Sequence, residues 1–144
     1  MNETVQPDAT KSNPAKTILL VDDNPLIVTA YRGALERRGY RVETAGDGLE
    51  AMRKVIALKP DLVVLDLVMP KMDGSYVLKF IHSQAELKAV RVIVLSEATN
   101  ADMAQSALEQ HPDAVFHKSQ CTATLLAEKI QELMGSSPSP ARQN

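Results

Sequence analysis

Residues Asp61–Leu65 read DLVVL and run directly into Asp66. A strand with one wet face alternates apolar and polar side chains, whereas a strand covered on both faces is almost continuously apolar. DLVVL is of the second kind, and so are Thr17–Val21 (TILLV) and Arg91–Leu95 (RVIVL). Arg41–Ala45 (RVETA) alternates more and is expected at a sheet edge. Ala114–His117 (AVFH) reads as a short fifth strand.

Helical patterns fill the intervals. Pro25 suits a first helical turn, after which Ile27, Ala30, Tyr31, Ala34 and Leu35 recur at three- and four-residue spacing. Gly39 then acts as a stop signal. A second helix is expected over about 48–58, ending before Pro60. A third is expected over about 75–83, a fourth over about 101–110 and a fifth from near Thr122, carrying Leu125, Leu126, Ile130 and Leu133. Five strand–helix units predict an α/β fold: a doubly wound, five-stranded parallel sheet with helices on both faces. Sheets of this kind bind ligands outside the carboxyl ends of their strands.

Composition bounds the rest. The 144 residues suit one domain, with 44% apolar and 24% charged side chains, as in a soluble globular protein. A formal charge of −2 gives no long-range pull toward nucleic acid or anionic membrane. No apolar run approaches the roughly 18 residues of a membrane span, and the polar start is unlike a signal peptide. The cytoplasm is the expected compartment. Residues 1–16 and 135–144 have too little apolar surface to offset ordering and are expected to be disordered tails around a domain at 17–134. The single cysteine, Cys121, has no partner thiol and reads as an ordinary side chain at a helix start.

At the carboxyl ends of the strands the side chains become polar. The first strand ends in Asp22-Asp23, the third in Asp66 and the fourth in Ser96, while Lys118 follows the fifth. Two carboxylates about 4 Å apart repel by roughly 4 kcal/mol at an effective dielectric near 20. Three together therefore call for a cation, and oxygen donors without His or Cys favour magnesium over zinc. Asp66 is positioned to act as a nucleophile toward a phosphoryl group, since carboxylates form acyl phosphates. Lys118 would pair with phosphoryl oxygens and the Ser96 hydroxyl would hydrogen-bond one of them. Any one of these residues alone would be read as a cap or a solvated side chain, and one acid of the 22–23 pair is expected to cap the helix that follows.

Asp66-Leu-Val-Met-Pro-Lys-Met-Asp-Gly74 closely resembles the phosphoacceptor strand and loop of bacterial two-component response-regulator receiver domains. Leu20-Val-Asp-Asp-Asn24 resembles their acidic-pair motif, and the intervals of 30 positions from Asp66 to Ser96 and 22 from Ser96 to Lys118 also fit. The resemblance implies a flavodoxin-like sheet of order 2-1-3-4-5 with five helices. It implies that Asp66 accepts phosphoryl from a histidine kinase or histidine phosphotransfer protein. It also implies that Asp23, Asp66 and the Val68 backbone carbonyl ligate Mg2+, with Asp22 acting largely through water. Such a domain catalyses only its own phosphorylation and dephosphorylation. It signals to a downstream protein through the face of its fourth helix, fifth strand and fifth helix, here expected without membrane or direct nucleic-acid contact and as a stand-alone unit.

Three positions depart from the family pattern. Ser119 stands where proline usually follows the lysine, and a cis bond costs about 2.5–4 kcal/mol before a non-proline residue against roughly 0.5–1 before proline. Val115 stands where the family has an aromatic switch residue, and strand alternation turns the adjacent Phe116 to the other face. Glu97 stands where a small residue is usual. These departures motivate an alternative, a phosphorylation-independent pseudo-receiver acting only as a binding module. An aspartyl-phosphate hydrolase of the haloacid dehalogenase type fits poorly, because the first strand carries Asp-Asp-Asn rather than Asp-x-Asp and no cap insertion exists. Val68 and Ala98 cannot hydrogen-bond an attacking water, which predicts slow self-dephosphorylation. Gly46-Asp-Gly48 reads as a turn, His82, His111 and His117 lack metal spacing, and Met69 and Met72 read as loop packing.

Overall fold

The computed structural model describes residues 15–69, 74–96, 105 and 108–135. Its elements run β1 (Thr17–Val21), α1 (Pro25–Arg37), β2 (Arg41–Ala45), α2 (Gly48–Leu58), β3 (Leu62–Asp66), α3 (Gly74–Ser83), β4 (Arg91–Ser96), β5 (Ala114–His117) and α4 (Ala123–Met134). Short 3-10 turns occupy Ala85–Leu87 and Lys118–Gln120. The strands form one parallel sheet of order β2-β1-β3-β4-β5, which is the expected order. The expected fourth helix is described only at residues 105 and 108–110, and both tail segments 1–14 and 136–144, with Met72, Glu97 and Ala98, lie outside the described residues.

The continuous apolar runs have the expected cause. Along β1, Ile18 and Leu20 face one way and Leu19 and Val21 the other, and all four are buried. One core packs Tyr31 and Leu35 of α1 and Leu126 and Ile130 of α4 against Ile18, Leu20, Val64 and Ile93. The opposite core packs Val55 of α2 and Val77, Leu78 and Ile81 of α3 against Leu19, Val63, Leu65 and Val92. β2 and β5 are the edges, and β2 is less completely buried than its neighbour β1.

Two boundaries differ from the sequence reading. β3 begins at Leu62 rather than Asp61, and the Asp61 carboxylate accepts from Thr17 N at 2.8 Å, tying the starts of two strands. Asp113 does the same for β4, accepting from Val92 N at 2.8 Å. α3 includes Gly74 as its first residue. At the helix starts, Asn24 Oδ1 accepts from Leu26 N and Ile27 N, Asp47 accepts from Glu50 N, and Thr122 accepts from Leu125 N. These side chains satisfy amide groups that the first turn cannot pair internally. The cap of α1 is thus Asn24, not an acid of the 22–23 pair.

A buried hydrogen bond crosses the α1–α4 layer: the Tyr31 hydroxyl donates to the Cys121 carbonyl at 2.7 Å. Burial raises the Tyr31 pKa well above the ordinary phenol range, and the Cys121 thiol and the Asp22 and Asp66 charges push the same way. A phenol that holds its proton more tightly when folded contributes stability that is full below about pH 10 and lost as pH rises through the folded value. Tyr31→Phe should cost about 1–3 kcal/mol at neutral pH, because the Cys121 carbonyl loses its donor. The gap between the two proteins in urea titrations should narrow above about pH 10. A gap that stays constant into the alkaline range would refute the assignment.

Candidate functional site

Four chain segments meet at the carboxyl edge of the sheet. β1 delivers Asp22 and Asp23, β3 ends in Asp66, β4 ends in Ser96, and the turn after β5 carries Lys118. Side-chain oxygens of Asp22, Asp23 and Asp66 all lie within 4.8 Å of one another. Asp66 is 1% exposed and Asp22 6%, whereas Asp23 is open to solvent. The Lys118 Nζ donates to Asp66 Oδ2 at 2.8 Å and stands 3.1 Å from Asp22 Oδ2. Its approach to Asp22 is an ion pair without hydrogen-bond alignment, so Asp22 Oδ2 is buried with no directed donor. Backbone amides take the other oxygens: Asn24 N donates to Asp22 Oδ1 at 2.9 Å and Val68 N to Asp66 Oδ1 at 3.1 Å.

Ser96 is half-buried beside this cluster in sequence register, opposite His117 on β5 rather than Lys118. Its hydroxyl makes no hydrogen bond to a described residue, which leaves it free to donate. Every expected site residue therefore lies at the same edge, with direct contacts joining Asp22, Asp66, Lys118 and the Val68 amide.

The electrostatics are unbalanced. Among the described residues three carboxylates face one ammonium, and even at 4.8 Å, the outer limit of their separation, two carboxylate charges repel by roughly 3 kcal/mol at an effective dielectric near 20. Burial is the main influence on Asp66 and raises its pKa; the Lys118 hydrogen bond opposes this, the Asp22 charge adds to it, and the net shift is upward. For Lys118 burial is again the largest influence and acts downward, but its contacts with Asp66 and Asp22 together outweigh it and the net shift is upward. The ammonium is thus kept charged by its partners. Three converging carboxylates, one with a buried oxygen that has an ion-pair neighbour but no aligned donor, and no sulfur or imidazole donor among the described residues make a set that fits a small hard divalent cation.

Two features here were not read from the sequence. A Cβ at Gly74 would lie 2.7 Å from both the Asp66 carbonyl oxygen and the Leu67 Cα, and Gly74 N donates to the Leu67 carbonyl at 3.0 Å. Only glycine lets α3 begin this close to β3; the Asp-Gly pair was visible in the sequence, but not what it touches. The second is the Tyr31 hydroxyl, which an apolar helix face conceals. Elsewhere, His82 and His111 share a cleft of about 350 Å3 with Lys88, Arg91 and Asp113 at the opposite, amino-terminal edge, away from these acids. Among the described residues the only grouping suited to a metal is the aspartate trio. Cys121 is buried, and its thiol pKa is raised by that burial.

The response regulator receiver domain family model matches residues 18–131. The alkaline phosphatase synthesis transcriptional regulatory protein of Bacillus subtilis is 52% identical over 69 residues, covering 48% of this chain and 29% of that protein. A phosphorylated cyanobacterial phytochrome response regulator is 34% identical, with a TM-score of 0.73 over 87% of this chain and 97% of the other. The receiver domain of a sensor histidine kinase from Pseudomonas aeruginosa, solved with magnesium in its active-site cleft, is 27% identical, with a TM-score of 0.76 over 85% and 99%. The chain spans less than two thirds of the first curated relatives it matches, between 15% and 55% of their length. No helix among the described residues is long and apolar enough to cross a membrane.

Gly74→Ala should destabilise the fold by about 1–3 kcal/mol, the usual cost of forcing a methyl against closed packing. Here the neighbours are backbone and cannot swing aside. A denaturation midpoint unchanged from wild type would show that α3 can retreat without cost.

Proposed function

The chain belongs to the response regulator receiver domain family, and from that premise we propose that it is a phosphorylation-dependent switch with Asp66 as phosphoacceptor. The observation that carries this reading is the Asp66 carboxylate, 1% exposed, hydrogen-bonded to Lys118 and flanked by Asp22 and Asp23. A side chain so placed costs stability, and an ordinary core would not retain it. The donor is a histidine kinase or a histidine phosphotransfer protein. An Asp66 oxygen forms a bond to phosphorus as the donor's phosphorus–nitrogen bond breaks. The electron pair leaves with the imidazole nitrogen, which takes up a proton.

The chain's own groups act by position and charge. Lys118 passes from the carboxylate to the new phosphoryl oxygens as a fixed positive charge. Ser96 donates its hydroxyl to one of those oxygens. Asp22, Asp23, Asp66 and the Val68 carbonyl are the groups we assign to Mg2+, Asp22 largely through water. When bound, that ion neutralises the carboxylates and the oxygens of the incoming group. The domain performs only its own phosphorylation and dephosphorylation and passes its state to a protein partner. The surface we assign to that partner is formed by the expected fourth helix, β5 and α4. Val115 there is 40% exposed, while Phe116 packs into the α1–α4 core, so no aromatic side chain stands at the usual switch position. The pseudo-receiver alternative draws on that departure in the readout, and nothing in the acidic cluster favours it.

Incubation with phosphoramidate and magnesium should add one phosphoryl mass to the wild type and none to Asp66→Asn. Wild type left without added mass would overturn the switch in favour of a binding-only module. The adduct should decay slowly, because the exposed Val68 side chain offers no hydrogen bond to an attacking water. A half-life of seconds would exclude that part of the reading.

Magnesium at ten times its dissociation constant should stabilise the fold by about 1.4 kcal/mol, raising the melting temperature by roughly 3–8 °C. Asp23→Asn should remove most of the rise. A melt indifferent to millimolar magnesium would contradict the assigned ligands.

A further inference from the structure

Among the described residues Lys118 is the cation paired with the acidic cluster, and its backbone sits in a single 3-10 turn, Lys118–Gln120, closed by Cys121 N donating to the Lys118 carbonyl at 3.3 Å. So short a turn has little strength of its own. None of the described peptide bonds is cis, so the Lys118–Ser119 peptide is trans, and serine leaves the backbone free at the position after the lysine. Two side-chain hydrogen bonds bracket the turn. On the near side Ser119 Oγ and His117 Nδ1 are 2.9 Å apart, joining the residues immediately before and after Lys118. On the far side the Tyr31 hydroxyl holds the Cys121 carbonyl at 2.7 Å. Tyr31 is 7% exposed, and it stands on α1, whose start is fixed by Asn24 beside Asp22. One helix therefore spans from the acid pair to the base of the lysine turn, about 9 Å along its axis.

We propose that Tyr31 and Ser119 are positioning residues for Lys118, holding its turn from both sides so that the ammonium is aimed at Asp66. This rests on the reading of Asp66 as phosphoacceptor and adds to it the means by which this chain fixes its lysine. Neither residue touches the reacting atoms. Each acts through Lys118 alone, and that is the property to test.

The experiment measures the rate constant for phosphorylation by phosphoramidate at saturating donor and magnesium, below the melting temperature of every variant. Ser119→Ala and Tyr31→Phe should each slow the reaction on the order of two- to tenfold, the span of one hydrogen bond. Ser119→Thr, which keeps a hydroxyl, should restore the rate. In a Lys118→Ala background neither substitution should slow the reaction further. A merely structural role would give the same slowing with or without the lysine, and that result would overturn the proposal. So would unaltered rates in both single variants.

A second readout does not depend on phosphorylation. Hydrogen exchange of the Lys118 ammonium, followed by NMR of 15N-lysine-labelled protein, should be slow in wild type and faster in Ser119→Ala and Tyr31→Phe. Unchanged exchange would refute the bracket. If wild type takes up no phosphoryl group, the switch reading fails, and the exchange measurement still decides whether the lysine is held in this way. Ser119 is exposed, so Ser119→Ala keeps the test available even if Tyr31→Phe perturbs folding.

Discussion

Among the described residues three carboxylates and one ammonium meet at the carboxyl edge of the sheet, and the arrangement is held against its own repulsion. Asp22 and Asp66 are almost fully buried, so neither can shed its field into water. Lys118 contacts both, at 3.1 and 2.8 Å, and two backbone amides take the remaining aligned oxygens. One ammonium cannot balance three acids. That deficit is the physical basis of the cation binding and phosphoryl chemistry proposed for this edge.

The fold supplies the rigidity this requires. β1 and β3 are neighbours in the sheet, so Asp22 and Asp66 leave adjacent strands at nearly the same height. Both flanking cores consist of closely packed, largely aliphatic side chains, and neither strand can slide to relieve repulsion. Gly74 brings the start of α3 within a methyl's width of the Asp66 and Leu67 backbone, so α3 begins against the end of β3. α1 begins directly after the acid pair and carries Tyr31 to the lysine turn. The strain is local, and the whole α/β frame opposes it.

Much of this was legible in the sequence. Five apolar runs separated by helical spacing dictate a parallel sheet, and Asp22, Asp23, Asp66, Ser96 and Lys118 all fall at strand ends by counting alone. What was not legible depended on contacts between distant segments. The sequence placed Asp61 inside a strand, because an acid before LVVL gives no sign that it reaches Thr17 across the sheet. It offered the acid pair as a helix cap, whereas Asn24 holds that position and Asp22 turns back to accept from Asn24 N. It read Tyr31 as one more member of an apolar face, because periodicity records the ring and not the hydroxyl. Gly74 was visible only as part of a motif, since a missing side chain says nothing of what would have met it.

The departures from the family pattern acquire different weights once the contacts are known. Strand parity makes the loss of the aromatic at position 115 irreparable by its neighbour. Ile93 and Leu95 face the α1–α4 core, their register partners on β5 are Ala114 and Phe116, and Val115 must therefore face the other way. A one-residue slip would turn every side chain of β5 over, so Phe116 cannot take up the missing role. Ser119 is a departure of another kind. It removes a rigid ring from the lysine turn but brings a hydroxyl, and His117 is in place to meet it at 2.9 Å. The first change alters the surface that a partner would read, while the second leaves Lys118 in contact with Asp66. Val115 and His117 share the other face of β5, two residues apart, but the His117–Ser119 contact at the lysine turn does not involve the side chain at position 115, so the two departures are structurally separate.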